Sequence, residues 1–283
     1  MKNKFEGYYF RHLKNGEVIA FIPGRSESGA FIQVITNQKS YRYQFEEAKI
    51  CKNPLEIRIG GCEFTASGIR IRLPDLDGEI HYTGFTPIRS DIMGFFRFFP
   101  MECRHGIVSM RHRLSGTLQI EKKRYDFTDG IGYIECDSGR SFPERYIWMQ
   151  ANDLHSQQNM MLSIAKIPFL GFHFEGCICV VNADGKEYRL ATYSGAAVRI
   201  SGQKVIVTQG KLRLEAELLS AGSGHPLAAP RMGKMDGIIR ENNDAHLFLR
   251  LFSGRQTLCA FESKTAGYEN HGYESELKPS DNI

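Results

Sequence analysis

Apolar and polar residues alternate with period two in a series of short runs, at 69–73, 116–120, 204–208, 212–218 and 246–252. Most runs are bounded by Gly, Asn, Asp or Pro. Short alternating runs punctuated by turn residues predict an all-β sandwich or barrel. Asn182-Ala183-Asp184-Gly185 predicts a tight hairpin, because Asp-Gly supplies the positive φ angles such a turn needs. Asp75-Leu76-Asp77-Gly78 predicts another. No long stretch keeps helical periodicity; a turn or two of helix is expected only near 91–96. From about Asn270 the pattern fades, and 273–283 reads as a loose polar tail.

The pattern also repeats. Ala20-Phe21-Ile22-Pro23 recurs as Ala165-Lys166-Ile167-Pro168, an offset of 145 (165 − 20). Tyr8-Tyr9-Phe10-Arg11-His12 is echoed by Tyr146-Ile147-Trp148-Met149-Gln150, and Phe31–Ile35 by Cys177–Val181. Gly132-Tyr133-Ile134-Glu135 returns as Gly267-Tyr268-Glu269. A period this long exceeds that of solenoid repeats. It predicts two tandem antiparallel β-barrel or sandwich domains from an internal duplication, at 1–143 and 144–272, with Pro143 holding the junction extended.

Composition narrows the class. A chain of 283 residues suits two domains, each large enough for a core without staples. The net charge is +4 and scattered, so clusters such as Lys122-Lys123-Arg124 read as solvated strand edges, and no nucleic-acid partner is expected. The seven cysteines have no framework spacing, no signal-peptide pattern precedes Phe5, and no apolar run reaches membrane-spanning length. These features place the protein in a reducing cytoplasm with free thiols.

Unusual chemistry concentrates between Gly94 and Asn152. Phe95, Phe96, Phe98 and Phe99 cannot all point inward from a strand; they form an apolar lip or membrane-touching loop, or else a packed inter-domain plug. In 101–112, strand geometry puts His105 and Ser109 on one face, with Glu102 and His112 on the other. A His–Ser pair hints at an activated nucleophile, but no nucleophile elbow surrounds any serine. Along 130–137, Tyr133, Glu135 and Asp137 share a face. Facing an apolar cavity, a carboxyl there would stay protonated and able to donate. Otherwise the face is solvated, which suits Asp137 better than Glu135. Tyr146, Trp148, Gln150 and Asn152 alternate on one face of the next run. Cys177, Cys179 and His173 do not complete a metal set, and no phosphate loop or dinucleotide fingerprint exists.

These segments resemble the tocopherol cyclase-like family. The matching residues are Gly7-Tyr8-Tyr9-Phe10, residues 20–24, Met101-Glu102-Cys103 with His105, Ser109-Met110, His112, Gly116 and Phe127. They continue through Gly132-Tyr133-Ile134-Glu135, Gly139, Ser141-Phe142-Pro143, Trp148, Gln150 and Asn152, with a weaker match over 224–230. The resemblance implies tandem lipocalin-like barrels. It also implies a cyclase of prenylated quinols that needs no redox change or cofactor. An acid protonates the alkene of the prenyl tail, and the phenol oxygen captures the tertiary cation. Such an acid must be neutral, dry and within reach of the alkene. The cation needs aromatic faces, and the tail an apolar channel.

On motif position, Glu135 is the first choice for the acid and Glu102 the second. Tyr133, Trp148 and the Phe95, Phe96, Phe98, Phe99 group would line the cation and tail. His105, His112, Gln150 and Asn152 would orient the quinol hydroxyls. The expected partner is a small hydrophobic ligand, with at most peripheral membrane contact. The alternative is a non-catalytic lipocalin-like carrier of an isoprenoid, quinone or lipid.

Overall fold

The structure, a computed structural model, describes residues 4–169 and 171–279. It is all-β: two antiparallel sheets of 12 and 10 strands, two short 3-10 turns at Gly94–Phe98 and Thr192–Ser194, and no α-helix among the described residues. The chain divides into two compact units. The first holds Met1–Ile88, His105–Ser141 and Ala228–Gly237; the second holds Arg89–Arg104, Phe142–Leu227 and Ile238–Ile283.

In the first unit the strands are β1 (Phe5–Lys14), β2 (Glu17–Ser26), β3 (Gly29–Thr36), β4 (Ser40–Phe45), β5 (Lys49–Lys52) and β6 (Leu55–Ile59). They continue as β7 (Cys62–Thr65), β8 (Gly68–Leu73), β9 (Leu76–Thr83), β10 (Cys103–Ile120), β11 (Lys123–Asp126) and β12 (Ile131–Gly139). Their order is β4-β3-β2-β1-β12-β10-β9-β8-β7-β6-β5, with β11 on β10. In the second unit they are β13 (Tyr146–Asn152), β14 (Asn159–Phe169), β15 (Phe172–Ala183), β16 (Lys186–Ala191) and β17 (Ala197–Ser201). Then come β18 (Lys204–Gln209), β19 (Leu212–Ser220), β20 (His225–Arg231), β21 (Lys234–Ser253) and β22 (Gln256–His271). The order β16-β15-β14-β13-β22-β21-β19-β18-β17 repeats that of the first unit: fourth, third, second, first, last, then backwards. Among the described residues no ladder joins the two ends of either order.

Strand pairing revises the sequence echoes. The row Ile134–Phe10–Phe21–Val34 crosses the first core, and Tyr268–Met149–Leu162–Cys179 crosses the second. With Glu135 matched to Glu269, one residue beyond each row, Phe21 falls on Leu162, an offset of 141 (162 − 21). The Ala20–Pro23 echo is thus four residues out of register (145 − 141). The echo of Tyr8 in Tyr146 changes face, since the core-facing residue is Ile147. Short apolar strings resemble one another too readily to fix register; pairing and burial fix it.

Each sheet folds one face around its own apolar cluster. In the first unit Tyr8, Phe10, Phe21, Ile32, Phe64 and Ile134 belong to it. In the second it includes Ile147, Met149, Leu162, Cys179, Leu249 and Tyr268. That second core also takes in Tyr273 and Leu277, and Leu277 bridges to Gly202. The stretch 273–279 is therefore docked by two apolar anchors rather than loose, a spacing too sparse to show as periodicity.

The reverse face of the first sheet is buried as well, at Phe31, Gln33 and Ile35 among others. The unit's own segment 228–237 lies against this side: the Gln33 side-chain amide donates to the Ala228 carbonyl (2.9 Å) and accepts from its N–H (2.7 Å). Glu27 N–H donates to the Gly233 carbonyl.

Candidate active site

Alternation along β12 decides where its functional side chains go. Ile134 belongs to the first core and Cys136 packs against it. Tyr133, Glu135 and Asp137 therefore occupy the opposite face. The acid strand does not present its carboxyls to the apolar interior of its sheet, as the cavity reading expected; it presents them on the reverse side. That side is still dry at two of the three positions: Tyr133 is 1% exposed and Glu135 5%. Across the ladder, β1 places Tyr9 opposite Glu135 and Arg11 opposite Tyr133, both buried.

His105, near the start of β10, lies between the two carboxylates. Its Nδ1 is 3.0 Å from Asp137 Oδ1 and its Nε2 3.4 Å from Glu135 Oε2. The Tyr133 hydroxyl donates to the same Glu135 Oε2. Four titratable groups thus form one chain, Tyr133–Glu135–His105–Asp137. Burial alone would pull the His105 pKa down, but Asp137 and Glu135 outweigh it and hold the imidazole at about 9. The ring is a cation at neutral pH. Burial and then Glu135 push the Tyr133 phenol well above its ordinary range, so it remains a donor.

His105, Glu135 and Asp137 also offer one atom each within 4.8 Å of one another, close enough to hold a metal ion. The geometry fits an ion pair better. Asp137 holds Nδ1 by a hydrogen bond, while Nε2 lies 3.4 Å from Glu135 Oε2 without forming one. A metal would need a nitrogen as a bare lone pair, whereas the two carboxylates hold the ring as a cation.

The second unit lacks this set. With Glu269 in the place of Glu135, Gly267 stands where Tyr133 does and His271 where Asp137 does. Glu269 instead accepts from the Tyr146 hydroxyl (2.6 Å). Among the described residues the Tyr–Glu–His–Asp chain occurs in the first unit.

The other residues singled out in the sequence go elsewhere. His112 lies on the core side of the first sheet, stacked on Phe85 (4.7 Å between centroids) and beside Tyr82 (4.5 Å). Its Nδ1 meets Ser109 Oγ at 3.2 Å, and that hydroxyl donates to the Arg111 carbonyl. Ser109 therefore pairs with His112 rather than His105. Gly132 leaves the space that the His112 ring fills. In the same core His12 bonds the Ile19 carbonyl and the Tyr82 hydroxyl. Burial drops both His12 and His112 to about 3, so both are neutral structural groups. Glu102 is half-buried on a segment of the second unit. Trp148, Gln150 and Asn152 are buried on β13, on the face opposite Ile147, Met149 and Ala151. Phe95, Phe96, Phe98 and Phe99 sit on the 3-10 turn and just after it, in the second unit. Asp137 is the site residue that sequence reasoning discounted.

A groove of about 950 Å³ on the first unit is lined by Arg25, Arg58, Glu63 and Arg70 among others. Those charges are paired with one another or with Glu6, and the groove is polar. None of the seven cysteines is in a disulfide. No helix among the described residues is long and apolar enough to cross a membrane.

The sequence of residues 82–272 matches the family model described as tocopherol cyclase-like, and this span carries His105, Tyr133, Glu135 and Asp137. The chain belongs to the tocopherol cyclase-like family. A search of curated proteins by sequence finds no match. Among solved structures, CghA with Sch210972 superposes with a TM-score of 0.63 at 9% identity, over 99% of this chain and 89% of that one. Kievitone hydratase from Nectria haematococca gives 0.54 at 9% identity, over 95% and 88%. A putative AttH from Nitrosomonas europaea gives 0.54 at 12% identity, over 95% and 93%. At these identities the likeness is one of fold. It extends across both units of this tocopherol cyclase-like chain.

Proposed function

We propose that this chain is a proton-transfer enzyme. It adds an oxygen nucleophile across a carbon–carbon double bond of an isoprenoid-bearing substrate, with Glu135 as the acid. Ring closure of a prenylated quinol is the reaction that family membership favours. Each open sheet, wrapped around its own core, is read as a lipocalin-like cup. The observation that carries the proposal is the buried chain Tyr133–Glu135–His105–Asp137.

The chemistry follows from that chain. Asp137, the most exposed member, accepts from His105 Nδ1 (3.0 Å) and fixes a charged His105. Glu135, deeper and already accepting from Tyr133, takes a proton from the imidazolium when a bound alkene draws Nε2 and Oε2 from 3.4 Å to hydrogen-bonding distance. Its O–H bond breaks as a C–H bond forms at the less substituted alkene carbon. The tertiary cation is captured by a lone pair of the substrate's own hydroxyl, forming the C–O bond. The hydroxyl proton returns to Glu135, so no electrons are gained or lost. Delivery of that oxygen by water instead would give hydration, and one of the fold neighbours is named a hydratase.

The test is to incubate the purified chain with a prenylated quinol and follow conversion to an isomer of equal mass by chromatography. Glu135→Gln, which keeps size and hydrogen bonding, should lower turnover by about 10²–10⁴-fold, the usual worth of a positioned acid. Turnover by Glu135→Gln at the wild-type rate removes the assignment. A wild-type chain that binds the quinol tightly and never converts it is a carrier.

A further inference from the structure

We infer that the 3-10 turn Gly94–Phe98, with Phe99 after it and Phe172 at the start of β15, forms a docking crown for the interfacial zone of an anionic phospholipid membrane. Phe95, Phe98 and Phe172 are 50%, 73% and 55% exposed, and Phe99 36%. Leaving several large aromatic rings exposed together is costly for a freely dissolved surface.

The crown is held rigidly, so its exposure is not fraying. Ile92, just before the turn, is fully buried. The Tyr193 hydroxyl donates to the Ile92 carbonyl (3.0 Å), and Arg189 donates to Ser90 Oγ (2.9 Å) and the Asp91 carbonyl (3.0 Å). Beyond the turn, Arg104 donates to the Phe99 carbonyl (3.2 Å). Phe96 stacks on Phe174 of β15 (5.6 Å, 21°), which ties the turn to the hairpin. Phe172, two residues before Phe174, shares its side of the strand. Phe96, Phe174 and Tyr193 thus make a base from which Phe95, Phe98, Phe99 and Phe172 project.

The charge around the crown selects the occupant. Sequence stretch 92–101 carries Arg97 and no carboxylate. On the hairpin Lys166 is paired with Glu144 (2.9 Å), and Asp91, Glu102 and Glu175 border the two stretches, so Arg97 is the cation the crown itself presents. The Arg97 guanidinium lies 4.6 Å over the Phe98 ring, where it can reach phosphate while the ring sits deeper. Projecting aromatics with an arginine at their base suit head-group phosphates above acyl chains. A protein partner would need a concave apolar receptor with an acidic rim. The surface is separate from the proton-transfer chain and stands whether or not that chain turns over a quinol.

The experiment is co-sedimentation of the full chain with phosphatidylcholine vesicles containing phosphatidylglycerol, without substrate. Wild type should pellet with these vesicles, less with phosphatidylcholine alone. Phe95→Ser combined with Phe98→Ser should weaken binding by about tenfold or more, the effect of removing one to two buried aromatic rings. Phe98→Trp should retain binding and shift its indole emission to the blue on contact, which keeps the test decisive if the double variant misfolds. Wild type remaining in the supernatant with both vesicles overturns the inference, as does a Phe98→Trp emission unchanged by vesicles. A dimer in solution that the double variant dissolves would instead assign the crown to a second copy.

Discussion

At the scale of single residues, the site depends on which groups hold charge. The His105 imidazolium exists because two carboxylates offset the penalty of its burial. Asp137→Asn should therefore lower the His105 pKa from about 9 toward or below 6.5, as a ¹³C or ¹⁵N titration of the ring would show. A ring that still titrates near 9 in this variant would exclude Asp137 as its anchor. The same shift predicts a stability profile. The folded pKa lies above the unfolded 6.5, so the stabilisation is complete below pH 6.5 and is lost as pH rises through 9. The wild-type melting temperature should fall over that interval, and the Asp137→Asn profile should be flatter. Asp137 was illegible in the sequence because a carboxylate near a strand end looks solvated. The partner that gives it a role, His105, is 32 residues away and adjacent only through the pairing of distant strands.

At the scale of elements, period-two alternation identified strands reliably where one face is apolar. The run 69–73 lies in β8, 204–208 in β18 and 212–218 in β19; 116–120 and 246–252 are parts of the longer β10 and β21. Asp184-Gly185 makes its tight turn with φ of 50° and 72°. The turn read at Asp75–Gly78 is different. It lies at Pro74-Asp75, with Asp75 at φ 61°, and Gly78 falls inside β9. Gly78 and Gly116 instead mark where β9 and β10 pass too closely for a side chain. At Gly116, φ is +139° and a Cβ would run into the Glu79 carbonyl. Kinks of this kind curve a sheet, and no local pattern separates them from turns. Gly116→Ala should cost about 2–4 kcal/mol, combining strain at positive φ with a backbone collision. A chemical-denaturation midpoint equal to that of wild type would show that the strands have room to separate.

Alternation also revealed that Tyr133, Glu135 and Asp137 share a face. It did not reveal which face, because both sides of the sheet are buried. The core side carries Ile134 and the reverse side Tyr133 and Glu135, all at most 5% exposed. An apolar-in, polar-out rule has no purchase on a strand with two interiors.

At the scale of the whole chain, the duplication is visible in strand order, while the units are not continuous stretches of sequence. Residues 228–237 belong with the first unit and 89–104 with the second. A fragment of residues 1–143 would therefore lose the strip that covers β3, and with it both bonds of the buried Gln33 amide. Handing that amide to water costs about 0.5–1.5 kcal/mol for each hydrogen bond, before counting the apolar area uncovered. The fragment should melt below the full chain and bind an environment-sensitive apolar dye. Co-expression with residues 144–283 should reverse both effects. A fragment as stable and as dye-inert as the full chain would mean the strip contributes nothing.

The two sides of β12 are subject to separate demands. Ile134 and Cys136 answer to packing, while Tyr133, Glu135 and Asp137 answer to a hydrogen-bonded and charged network. Substitutions on the second side can exchange one reagent for another while the hydrophobic interior stays as it is. Descendants of such a scaffold are free to diverge in what they make long before they diverge in shape.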